Sequence, residues 1–202
     1  MARNNSNRNK SVKAASNNKA GSVRIIAGQY RGRKLPVIMA EGLRPTTDRV
    51  KETVFNWLMP YLYEAKCLDC FAGSGSLGFE ALSRGASRVE FFELNKSAST
   101  QISNNIKLLK TDEASVTTGS CLQLLPQKTN AQYDLVFIDP PFRQGLVKAT
   151  AQLLEQENTL AKDAVIYLEV EAELSQLELP SNWQLLKEKV AGQVAYRLYQ
   201  RN

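Results

Sequence analysis

Cys67-Leu68-Asp69-Cys70-Phe71 runs without a break into Ala72-Gly73-Ser74-Gly75-Ser76-Leu77-Gly78. The first five residues have the short apolar character of a buried strand, and the spacing from Leu77 onward predicts a helix over 77–84. Between them, Gly73, Gly75 and Gly78 fit G-x-G-x-x-G, a pattern whose glycines permit a tight turn and let the backbone approach a ligand closely. Glu93 ends the next candidate strand, twenty residues after Gly73. A carboxylate there can accept hydrogen bonds from two ribose hydroxyls. Strand, glycine turn, helix and acid together predict a nucleoside-type cofactor on an α/β sheet.

Working outward, strands are predicted over 66–71, 88–93, 114–118, 133–139 and 164–170, with helices over 77–84, 96–110 and 145–157. Such alternation implies a mostly parallel sheet with helices on both faces. Two last strands, 184–190 and 194–200, are separated only by Ala191-Gly192-Gln193, which predicts an antiparallel hairpin at the sheet edge. Upstream, two short strands over 23–28 and 31–36 are expected around a turn at Gly28-Gln29. A helix follows, with Val50, Val54, Trp57, Leu58 and Leu62 as its core stripe. The chain divides into a disordered Asn-rich leader (1–22), a basic hairpin and helix (23–63) and the main domain (64–202).

Composition narrows the chemistry. With 202 residues, 43% hydrophobic and 23% charged, the chain suits one domain and a short appendage. It has no histidine, which excludes a Ser-His-Asp or Cys-His nucleophile, a His-ligated metal and an imidazole acid/base. Cys67 and Cys70, three apart on a strand, point to opposite faces. Cys121 is the only other cysteine, so structural thiols are expected, with no disulfide framework and no metal. No apolar run reaches ~18 residues and the start lacks a signal peptide; a cytoplasmic protein without membrane contact is expected.

The net charge of +6 is concentrated at one end: residues 1–59 carry 12 Lys/Arg against 3 Asp/Glu, and residues 60–202 carry 14 against 17. A basic front on a near-neutral body points to a polyanion partner. Arg24, Arg31, Arg33 and Lys34 lie on or beside the predicted hairpin, and Tyr30 among them can stack on a base or ribose.

The glycine loop suits NAD as well as S-adenosylmethionine. Asp69, just ahead of it, favours the latter: its carboxylate faces a cationic amino-acid end but would repel a pyrophosphate. Asp69 can also cap the loop's N–H groups. The absence of G-x-x-x-x-G-K-[ST] rules out a phosphate-cradling NTPase loop. At the other candidate ligand site, strand 133–138 terminates in Asp139-Pro140-Pro141-Phe142. The prolines freeze the backbone and remove two donors, leaving the Asp139 carboxylate and the Pro140 carbonyl to receive the two N–H groups of an exocyclic amine. Phe142 can stack on the base. A sulfonium methyl is already activated, so attack by nitrogen needs positioning rather than histidine, and the base must be unpaired or flipped out. Arg143 is either a phosphate contact or a solvated helix start. Guanine and adenine both offer such an amine, so DNA adenine or another RNA stays open as acceptor. So do a non-catalytic RNA-binding factor, disfavoured by the intact D-P-P-F, and an NAD oxidoreductase, disfavoured by Asp69 and the missing histidine.

Five segments, 23–35 (VRIIAGQYRGRKL), 42–57 (GLRPTTDRVKETVFNW), 68–78 (LDCFAGSGSLG), 139–143 (DPPFR) and 190–199 (VAGQVAYRLY), resemble the bacterial 16S ribosomal RNA guanine-N2 methyltransferase family. The resemblance implies a Rossmann-like class I fold dependent on S-adenosylmethionine, with a seven-stranded mostly parallel sheet. It implies methyl transfer to N2 of one guanine of 16S rRNA, within an assembled or partly assembled small ribosomal subunit. A monomer is expected. By position, Asp69, Phe71, Gly73, Gly75 and Glu93 would hold the cofactor, Asp139, Pro140 and Phe142 the guanine, and Arg24, Arg31, Arg33, Lys34 and Arg44 the rRNA. Ser120 stands where many such enzymes place an aspartate for the adenine amine; it can hydrogen-bond but lacks the charge.

Overall fold

The computed structural model describes residues 20–38, 48–174 and 176–202. In chain order the elements are β1 (Ala20–Arg24), β2 (Lys34–Ile38), α1 (Asp48–Leu58), β3 (Lys66–Asp69), α2 (Ser76–Ser83), β4 (Arg88–Glu93), α3 (Lys96–Leu109), β5 (Ala114–Thr118), α4 (Cys121–Leu124), β6 (Tyr133–Ile138), α5 (Leu146–Gln156), β7 (Leu160–Glu171), β8 (Trp183–Ala191) and β9 (Val194–Arg201). Seven strands form one sheet in the order β5-β4-β3-β6-β7-β9-β8, and β1 and β2 pair separately. The strands from β5 to β7 are parallel; β9 runs antiparallel to both of its neighbours. The chain winds from β3 outward through β4 and β5, then returns to β6 on the other side of β3. The connections leaving β3 and β6 therefore diverge, and the crevice between them is where an open α/β sheet binds ligands.

Alternation along the strands sorts the core into two layers. Cys67, Phe91, Phe137 and Tyr167 pack with residues of α1, α2 and α3 on one face. Leu68, Cys70, Val136, Ile138 and Leu168 pack with α4 and α5 on the other. Cys67 and Cys70 thus lie on opposite faces, both buried, as period-two geometry requires. Strand β7 begins earlier than expected, because Tyr133 pairs with Leu160 before an irregularity resets the register at Leu135–Val165. The short α4, which the sequence pattern did not predict, follows β5 directly.

The basic appendage corrects the predicted hairpin. Its strands pair Ala20 with Ile38 through Arg24 with Lys34, so residues 25–33 form a wide loop rather than two strands about Gly28-Gln29. Ala20, Gly21 and Ser22 belong to β1, although their composition predicts a disordered leader. The physical reason is competition for backbone donors. The N–H groups of Ile26 and Ala27 donate to the two oxygens of Glu80 on α2, at 2.8 and 3.0 Å. Tyr30 N–H donates to Ser83 Oγ at 3.0 Å, and Ser83 Oγ donates to the Ala27 carbonyl at 2.5 Å. Gln29 N–H donates to the Ser83 carbonyl at 2.8 Å. Gly28 has φ +80°, and a Cβ there would stand 1.7 Å from that carbonyl oxygen; only glycine permits the approach. Packed between this loop and the sheet, seven of the eight residues of α2 are buried.

Glu80, with no solvent exposure, also accepts from Arg84 Nε at 2.8 Å and pairs with Lys51 Nζ of α1 at 3.5 Å. Lys51 is 1% exposed and donates to the Arg24 carbonyl at 2.6 Å and to Ser76 Oγ at 3.4 Å. Burial depresses its pKa, opposed by the Glu80 charge. Glu80→Ala would strand a buried ammonium and two backbone donors, so the unfolding free energy should fall by roughly 3–5 kcal/mol in urea titrations. Glu80→Gln, which keeps an acceptor, should lose less.

Candidate active site

Strand β3 ends at Asp69, and three backbone bonds shape the loop that follows: Cys70 N–H to Phe137 O at 3.0 Å, Ala72 N–H to Phe92 O at 2.9 Å, and Gly75 N–H to Ala72 O at 2.6 Å. Gly75 caps α2 in the left-handed region with φ +76°, and a Cβ there would meet the Phe79 ring at 2.6 Å. Glu93, at the end of β4, accepts from Gly73 N–H at 2.7 Å and from Asn95 N–H at 2.7 Å. Each oxygen retains a second lone pair for a ligand. Asn95 in turn caps α3, accepting from Ser97 and Ala98 N–H. Sequence spacing placed Glu93 beside the glycine loop, and the fold joins them by a direct hydrogen bond.

Asp69 is 1% exposed and accepts from Gly78 N–H at 3.2 Å, so the capping role is present. Burial pushes its pKa up to about 7, with the charges of Glu93 and Glu169 adding to the effect. Asp139, one residue beyond β6, is half-buried, Pro140 is buried, and Pro141 and Phe142 are exposed. Burial, then the charges of Glu169 and Asp69, hold the Asp139 carboxyl well above the usual range. Phe71 is half-buried against the α4–α5 layer. Ser120 sits at the N-terminus of α4, half-buried, and its hydroxyl makes no hydrogen bond among the described residues.

Sequence reasoning missed Glu169. It is 5% exposed on β7 and accepts from the Tyr167 hydroxyl at 2.7 Å; burial raises its pKa. The signal was available: Leu168-Glu169-Val170-Glu171 puts acids on alternate positions at the carboxyl end of a predicted parallel strand. Asp69, Glu93, Asp139 and Glu169 come from four strand ends. They are not gathered for chelation: no three His, Cys, Asp or Glu groups among the described residues are arranged to hold a metal.

Of the basic residues, Arg24, Arg31 and Lys34 are exposed. Arg33 is exposed too, but it stands 6.0 Å from the Tyr30 ring centroid and donates to the Leu108 carbonyl at 3.4 Å; part of its bonding is structural. Arg143 has φ +62° and its backbone N–H donates to the Glu171 carboxylate, leaving an exposed side chain before α5. Arg44 lies outside the described residues. No helix among them is long and apolar enough to cross a membrane.

The family model described as "Conserved hypothetical protein 95" matches residues 23–200. Ribosomal RNA small subunit methyltransferase D of Escherichia coli strain K12 is 52% identical over 190 residues, covering 94% of this chain and 96% of its own. The protein of that name from Haemophilus influenzae is 54% identical over 186 residues, covering 91% and 96%. The chain belongs to the ribosomal RNA small subunit methyltransferase D family. The solved structure of yhhF from Escherichia coli superposes with a TM-score of 0.81 at 50% identity, covering 90% of this chain and 99% of that one. Membership makes the chain a methyltransferase, and S-adenosylmethionine is the methyl donor that the sequence predicts.

The residues present fit that donor. Asp69 is a buried carboxylate that no Lys or Arg among the described residues neutralises, the environment a cationic ligand relieves. Its folded-state pKa lies above the ordinary aspartate range, so the ligand-free protein favours the protonated form and loses stability as pH rises towards and through about 7. A cation beside Asp69 favours the ionised form instead. Affinity for S-adenosylmethionine, measured by calorimetry, should therefore rise from about pH 6 to about pH 8, with proton release at the lower end. Asp69→Asn should weaken binding and flatten that profile.

Proposed function

We propose that this chain methylates the exocyclic N2 of one guanine of 16S rRNA, acting as a cytoplasmic monomer on an assembled or partly assembled small ribosomal subunit. One observation carries the reading. Asp139-Pro140-Pro141-Phe142 stands at the divergence of β3 and β6, beside the glycine loop, in a chain half identical to proteins named for small-subunit rRNA methylation.

S-adenosylmethionine, when bound, supplies an electrophilic methyl group on a sulfonium. Asp69 would face its amino group, Glu93 its ribose hydroxyls, and Ser120 and Phe71 its base, with Gly73 and Gly75 giving room for close approach. The guanine N2 lone pair is delocalised into the ring and is a weak nucleophile. Asp139 Oδ and the Pro140 carbonyl each accept one N–H of the amine, which orients the lone pair and raises its electron density. Asp139 is also the acceptor for the proton that N2 loses. Phe142 offers its exposed ring to the base, which has to leave its stack to reach the site. Arg24, Arg31, Arg33, Lys34, Arg44 and Arg143 would grip phosphates around it.

Incorporation of labelled methyl groups into small subunits lacking their modifications, followed by nucleoside analysis, tests the reading. N2-methylguanosine is expected. Preferential methylation of duplex DNA would replace the acceptor, and binding of S-adenosylmethionine without transfer would leave an RNA-binding factor. Asp139→Ala should abolish transfer while S-adenosylmethionine affinity stays within a few-fold. Reversing the charge of Arg31 and Arg33 together should weaken subunit binding and reduce the salt slope by roughly 0.7–0.9 for each phosphate no longer neutralised. Arg31→Glu alone should account for most of the change, since Arg33 is partly engaged with α3.

A further inference from the structure

Two carboxylates stand side by side at the base-binding end, and the proposed function uses only one. Strands β6 and β7 are parallel, pairing Phe137 with Tyr167 and Ile138 with Leu168. Asp139 is the next residue after the paired part of β6; continuing that register by one row sets it beside Glu169 on the same face, and the Glu169 charge acts on the Asp139 carboxyl. Tyr167, two residues back on that face, anchors Glu169 through its hydroxyl at 2.7 Å. The Tyr167 ring is itself held edge-on to Phe137 at 6.1 Å. The carboxylate is therefore fixed by a rigid aromatic pair. No ion pair reaches Glu169 among the described residues; Tyr196 stands across from it on β9, while Arg197, paired with Leu168, faces the other side of the sheet. Burial without a cation disfavours the ionised carboxylate, and the neighbouring Asp139 adds to that.

The two carboxylates and the Pro140 carbonyl make an edge composed only of acceptors when the acids are ionised. Guanine presents N1–H and the N2 amine side by side, a row of donors. Adenine has an amine next to an N1 lone pair, which would face a carboxylate lone pair. We propose that Glu169 accepts the N1–H of the target guanine while Asp139 and Pro140 hold its N2 amine, and that this acceptor edge is what selects guanine over adenine. The inference rests on the guanine-N2 reading and adds the source of its base specificity. Accepting N1–H also pushes electron density towards N2, so Glu169 assists the attack as well as reading the base.

The discriminating probe is 2-aminopurine, which keeps the amine at position 2 but has a bare lone pair at N1. Small subunits are reconstituted with guanine, 2-aminopurine or adenine at the target position, and single-turnover methyl transfer is measured. The wild type should prefer guanine to 2-aminopurine by roughly 100-fold or more. Glu169→Gln, nearly isosteric and able to offer a donor to N1, should bind S-adenosylmethionine within a few-fold of wild type. It should lose guanine transfer by roughly 10- to 100-fold and bring the guanine/2-aminopurine ratio to within about tenfold. Tyr167→Phe, which frees Glu169 without removing it, should lower the same ratio and carries the test if Glu169→Gln no longer binds S-adenosylmethionine. Equal wild-type rates on guanine and 2-aminopurine, or an unchanged ratio in the variants, would overturn the role of Glu169. Failure of the wild type to methylate guanine subunits at all would instead bring down the reading on which it rests.

Discussion

A carboxylate with four partners and no exposure to water joins the basic appendage to the main sheet of this molecule. Glu80 on α2 receives two backbone N–H groups from the basic loop, the guanidinium of Arg84 and the ammonium of Lys51. The pairing with Lys51 draws α1 into the same cluster, and Lys51 reaches on to Ser76, the first residue of α2 after the glycine loop. Desolvating this many polar groups is tolerable only because each finds a partner. The consequence is positional: the exposed arginines proposed to grip RNA stand on a segment bonded to the helix that follows the glycine loop. An appendage tethered only by chain connectivity could not hold that geometry.

The electrostatics divide accordingly. Exposed cations occupy the appendage, while the strand ends at the divergence of β3 and β6 supply carboxylates whose ionisation burial opposes. A site of this kind is poised for ligands that bring positive charge or rows of hydrogen-bond donors. A methyl donor with a cationic centre and the amine edge of a purine both answer that description. No imidazole is needed, which is consistent with a chain that contains none.

Much of this was legible in the residues. The glycine loop with Glu93, the D-P-P-F turn, the strand-helix alternation and the terminal hairpin are local patterns, decided by residues near one another in the chain; the sheet order β5-β4-β3-β6-β7-β9-β8 is seen only in the fold. The extent of β1 and β2 was not legible. Val23–Gly28 alternates well enough to be a strand, yet the donors of Ile26 and Ala27 are taken by Glu80, 53 to 54 residues away. Arg33 likewise read as an RNA-binding residue alone, because its bond to Leu108 spans 75 residues.

By itself, then, the sequence determined the fold class and the places of the glycine loop and the D-P-P-F turn, because short-range periodicity and turn chemistry depend on adjacent residues. Tertiary structure alone decided that Glu80 and Lys51 would form a buried pair holding the basic segment, and that Glu169 would stand beside Asp139. Both depend on which distant segments share a face and a register, and the free energy of a buried charge is set by those neighbours rather than by its place in the chain.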